Sequence, residues 1–67
     1  MDSWMNGLPT ITGTIYETGE KVKMICNGYW IGSKGRHISS YVRADGKNPE
    51  YQYSMNRKHI FFLEAIN

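Results

Sequence analysis

The sequence predicts an all-β fold, a small barrel of about five antiparallel strands. Three observations carry this expectation. Short segments alternate apolar and polar residues with the period of two that a half-buried strand requires. Turn-forming glycine, asparagine and proline residues separate those segments at spacings of about 8–12 residues. No segment of ten or more residues holds a helical period. In a small sheet, curling into a barrel removes the exposed strand edges.

Residues 1–9 are polar and turn-rich and read as a mobile segment, leaving residues 10–67 as the barrel domain. From Thr10, Ile11 and Ile15 fall on one face and Thr10, Thr12, Thr14 and Tyr16 on the other. "ETGE" turns the chain, and "KVKMIC" then places Val22, Met24 and Cys26 inward and Lys21, Lys23 and Ile25 outward. Asn27-Gly28 is a strong hairpin signal, because both residues tolerate the positive φ of a tight turn. The alternative is that Gly28 opens a longer loop running to Gly35. "RHISSYVR" reads as the next strand, with Ile38 and Val42 on one face and His37, Ser39, Tyr41 and Arg43 on the other. "ADGKNPE" is a turn, and Tyr51, Tyr53 and Met55 then share a strand face. "HIFFLEAI" fits either a strand or a helical turn leading into one.

At 67 residues the chain makes one domain, whose core supplies no more than about 3–5 kcal/mol. Cys26 is the only cysteine, which excludes an intramolecular disulfide. Without clustered Cys and His a structural zinc site is not expected, and no metal or cofactor is assigned. Self-association is therefore a live expectation for so small a scaffold. No apolar run approaches the roughly 20 residues of a membrane span, and "MDSWMNGLP" lacks the basic start and apolar stretch of a signal peptide. These features point to a cytoplasmic protein with no membrane partner. Small size and unusual composition are also compatible with a phage or mobile-element product.

The net charge is only +2, yet its distribution is uneven. Residues 1–20 carry Asp2, Glu17 and Glu20 without a base, whereas residues 21–43 carry Lys21, Lys23, Lys34, Arg36 and Arg43 without an acid. Such a block attracts phosphate or an acidic protein surface, or simply solubilises one face. Within "NGYWIGSKG", Tyr29 and Trp30 add flat surface beside bare glycine backbone. Trp30 either meets a partner or folds inward to plug the barrel, and Tyr29 then points the other way. The candidate binding residues are Lys21, Lys23, Tyr29, Trp30, Lys34, Arg36, Tyr41 and Arg43.

The stretch "GEKVKMICNGYWIGSKGRHI" resembles the strand-loop-strand KOW motif of SH3-like barrels, with Gly28, Gly32 and Gly35 keeping its glycine rhythm and "HIFFLEAI" similar to the last barrel strand. This resemblance implies a nucleic-acid or nucleoprotein partner of the transcription or translation kind. "GEKVK", the "WIG" at Trp30–Gly32, Pro49-Glu50 and "LEAIN" are similar to the plasmid-borne type B dihydrofolate reductases, NADPH-dependent tetramers on the same kind of scaffold. Their functional positions are a lysine on the second strand and a Val-Gln-Ile-Tyr run. This chain has Met24 and Lys58-His59-Ile60-Phe61 there, and only Ile60 matches.

Nucleophilic catalysis needs an activating base and an orienting acid, and no spacing around Cys26, His37 or His59 supplies them. A non-catalytic binding module is the leading expectation. A protein-protein module, as a homo-oligomer or a small phage-type inhibitor of a host machine, is the first alternative, and an NADPH-dependent tetrameric reductase of the type B dihydrofolate kind, as that resemblance implies, is the second. Nine aromatic side chains (two Trp, five Tyr, two Phe), with Tyr51 and Tyr53 on one strand, suit it.

Overall fold

The computed structural model describes residues 8–66. Most of the expected mobile segment, residues 1–7 of 1–9, therefore lies outside the described residues. Five strands form as expected: β1 (Ile11–Ile15), β2 (Lys21–Ile31), β3 (His37–Arg43), β4 (Tyr51–Met55) and β5 (Ile60–Ile66). "HIFFLEAI" thus resolves as a strand. Consecutive strands pair antiparallel, and the sheet closes in the order β1-β2-β3-β4-β5. The closure is a short parallel contact in which Thr14 faces Ile60 and Ile15 faces Phe61. Among the described residues no helix is long and apolar enough to cross a membrane.

The alternation read from the sequence builds the interior. Ile15, Val22, Met24, Tyr41, Tyr53 and Phe61 form the buried cluster, with Ile11, Tyr51, Met55 and Leu63 packed around it. Met24 and Phe61 are fully enclosed. The Tyr41 and Phe61 rings lie 5.6 Å apart at 57°, a tilted pairing that aromatic quadrupoles favour. Burial also pushes the Tyr53 phenol up from its usual range, because desolvation disfavours the charged form. Gly13 sits where β1 meets the residue preceding β5, and any Cβ there would collide with the His59 carbonyl and the Phe61 ring. A bare backbone at Gly13 is what lets the barrel close so tightly.

The two halves of β2 behave differently. β1 covers only Lys21–Met24, whereas β3 follows β2 along its length. Cys26 faces Tyr41 and Gly28 faces Ser40, so Asn27 is an extra residue on β2, a β-bulge. Asn27-Gly28 is therefore not the hairpin turn, nor does Gly28 open a loop. The positive φ that Asn-Gly tolerates is spent instead in the bulge, where Gly28 has φ 144°. The chain reverses at Ser33–Gly35, a 3₁₀ turn in which Lys34 and Gly35 take positive φ. There the Gly32 amide donates to the Arg36 carbonyl at 2.7 Å.

Two side chains of β2 face other than expected. Cys26 is exposed rather than inward, since it stands where β2 leaves the barrel. Its thiol donates to the Gly28 carbonyl at 3.4 Å. Ile25, expected to face water, is buried, and its cross-strand partner on that side is the half-buried Val42. Apolar side chains thus shield part of the sheet's outer surface as well.

Candidate binding surface

The eight candidate residues divide into an exposed set and a buried pair. Lys21, Lys23, Tyr29, Lys34 and Arg36 are exposed, and Trp30 is half-buried. Tyr41 and Arg43, expected on the binding face, are instead buried, each only 8% accessible. They share a face of β3 with the exposed His37 and Ser39. Near Arg43 that face looks into the barrel, and near His37 it has passed the barrel's edge.

Arg43 is neutralised as well as buried. Its Nη2 lies 2.7 Å from Asp45 Oδ2 and 3.1 Å from Glu20 Oε2, its Nη1 donates to Glu20 Oε1 at 3.2 Å, and its Nε donates to Asp45 Oδ1 at 3.0 Å. Two carboxylates thus engage all three guanidinium nitrogens. Hydrogen bonding to Arg43 holds the Asp45 carboxyl down to about 2, assisted by the Lys47 amide, and lowers Glu20 for the same first reason. The same bonds hold the Arg43 guanidinium above its usual range. With desolvated donors and fixed acceptors, Arg43 fastens the β3 end to the loops on either side of it. It offers no charge to a partner.

Among the described residues Arg43 makes the only ion pairs, which leaves Lys21, Lys23, Lys34 and Arg36 without a carboxylate partner. They form two groups. Lys34 and Arg36 lie in and just after the turn that joins β2 to β3. Tyr29 and Ile31, 63% and 57% exposed, are on β2 just before that turn. The Tyr29 and His37 rings lie in tilted contact, with centroids 4.8 Å apart and planes at 36°. Lys21 and Lys23 lie at the opposite end of β2, beside Thr14 and Thr12 of β1. Next to them the turn between β4 and β5 brings Lys58 and His59, which sequence reasoning did not include among the candidates. The signal was the short basic run Arg57-Lys58-His59, but only barrel closure sets it beside Lys21.

Trp30 does not plug the barrel, since it is not among the core residues. Strand alternation points it opposite to Tyr29, and it lines a shallow concavity of about 190 Å³ with Gln52, Glu64 and Ala65. Tyr53 is a core residue and Tyr51 is half-buried against it, so the aromatic face expected on β4 serves the interior. At the positions given by the reductase resemblance, Met24 and Phe61 lie in the core, whereas Lys58 and His59 are exposed in the turn. Among the described residues no group of three or more His, Cys, Asp and Glu side chains could hold a metal ion. No protein-family model, no curated protein and no solved structure matches this chain.

Proposed function

We propose that the chain is a small binding module that holds single-stranded nucleic acid, free or within a nucleoprotein complex, on its unpaired cations and on the Tyr29 ring. The observation that carries this reading is the end of the long hairpin: Tyr29 is 63% exposed, is backed by His37, and lies close in sequence to Lys34 and Arg36, which have no carboxylate partner among the described residues. A solvent-facing ring offers a base a stacking platform, and neighbouring cations attract the backbone. The strand order, a five-strand meander closed by its first and last members, fits the SH3-like barrel that "GEKVKMICNGYWIGSKGRHI" resembles.

The test is the mass of the protein in solution with and without a single-stranded oligonucleotide, followed by affinities over a range of salt. A complex whose affinity falls steeply with salt is expected, and Tyr29→Ala should weaken it by about 1–3 kcal/mol while leaving the fold unchanged. Salt-independent binding, or an unaffected Tyr29→Ala variant, would refute the reading. Exposed Ile31 beside Tyr29 favours a protein contact as the second reading. A dimeric or larger mass without oligonucleotide, lowered by Ile31→Ser, is its signature.

A further inference from the structure

The far side of the barrel from the hairpin turn carries a second cationic feature, formed by three separate pieces of chain. Thr12, Gly13 and Thr14 of β1, Lys21 of β2, and Lys58 and His59 of the β4–β5 turn enclose an open concavity of about 270 Å³. Every polar side chain that the described residues place around it can donate a hydrogen bond, and none of these is a carboxylate. Thr14 faces Lys21 across the β1–β2 ladder, so hydroxyl and ammonium project from the same side of the sheet.

The turn that supplies Lys58 and His59 is held firmly. Asn56 Oδ1 accepts from the Lys58 amide at 2.9 Å and from the Ile60 amide at 3.0 Å, and the Asn56 carbonyl accepts from the His59 amide at 3.1 Å. His59 adopts φ 57°, a left-handed conformation uncommon outside glycine and asparagine. Its carbonyl accepts from the Thr14 amide at 3.0 Å, at the contact that the missing side chain of Gly13 makes possible. The concavity is thus set by closure of the barrel rather than by mobile side chains alone. Glu20, the acid next to Lys21 in the chain, is engaged by Arg43 and does not neutralise it.

We infer that this concavity is a seat for a single phosphate group, with Lys21 and Lys58 supplying charge and Thr12, Thr14 and His59 supplying directional donors. A tetrahedral dianion or a phosphodiester presents oxygens in several directions at once, which matches donors arriving from three chain segments. The inference rests on the nucleic-acid reading only for the source of that group, a backbone phosphodiester. Inorganic phosphate has the same chemistry.

Two titrations followed by amide NMR separate these claims, one with inorganic phosphate and one with a single-stranded oligonucleotide. Both should shift the Gly13, Thr14, Lys58 and His59 amides. Lys21→Ala with Lys58→Ala should abolish the phosphate response and reduce the log-log salt slope of oligonucleotide binding by about 0.7, the release expected for one single-strand phosphate. Lys21→Arg with Lys58→Arg should restore both. Phosphate shifts at these amides without oligonucleotide binding would leave the seat standing and remove the nucleic-acid reading. Oligonucleotide binding that moves only Tyr29, Lys34 and His37 would keep that reading and overturn the seat. No response to either ligand would overturn both.

Discussion

The two ends of the β2–β3 hairpin are made of the same two strands, yet one is core and the other is surface. At the barrel end, Met24 and Arg43 face each other across the ladder and both are buried. At the turn end, Tyr29 faces Ser39 and Ile31 faces His37, and all four are exposed. The difference is the company the strands keep. β1 packs beside β2 only as far as Met24, and the described strand contact of β4 with β3 is at Tyr41. Past those points the face that carries Tyr29, Ile31, His37 and Ser39 has no second layer to bury it. The sheet that supplies stability at one end therefore leaves Tyr29 and Ile31 facing solvent at the other.

Substitution at both ends tests this contrast directly. Phe61→Ala should remove about 3–5 kcal/mol, close to the entire stability expected of so small a core, and leave the chain unfolded by circular dichroism at room temperature. Tyr29→Ala should leave the melting temperature nearly unchanged, as surface substitutions within about 0.5 kcal/mol do. A large loss from Tyr29→Ala would mean that the turn end is packed after all.

Arg43 is the next largest effect. Arg43→Ala removes a buried stem and strands two carboxylates beside each other, and should cost about 1–3 kcal/mol by urea denaturation. Arg43→Met keeps the aliphatic packing and should lose less. Equal losses would show that the charge, not the stem, is what matters. Neither substitution should alter the salt slope of oligonucleotide binding, because this cation is already spent.

The smallest effect is on acid stability. Asp45 and Glu20 have carboxyls held below their ordinary values of 3.8 and 4.5, Asp45 at about 2. A carboxyl depressed on folding stabilises the protein above its unfolded value, and that contribution disappears as pH falls through the folded one. Stability should therefore decline between about pH 4.5 and pH 2, and the Arg43→Ala variant should show a flatter decline in thermal melts over the same window. An equally steep decline in that variant would assign the acid sensitivity to other groups.

Much of the fold was legible because strand alternation is a local property. Ile11 and Ile15, and Val22 and Met24, all reach the interior faces that their spacing indicated. The candidate surface was less legible. Lys21, Lys23, Lys34 and Arg36 are exposed as charged side chains usually are, but Arg43 looks the same in a string of letters and finds Glu20, 23 residues away, only when β2 and β3 pair. Asn27-Gly28 shows a further ambiguity, since one backbone preference serves a turn and a bulge equally well.

By itself the sequence determined that strands form, where glycine and proline punctuate them, and that residues 21–43 carry bases without acids. Only the tertiary structure decided where the barrel ends along β2 and β3, which acids claim Arg43, and that Lys58 and His59 come to lie beside Lys21. A period of two gives a strand two faces, but burial depends on whether another strand covers the face. That covering strand comes from distant sequence, brought there by closure of the sheet.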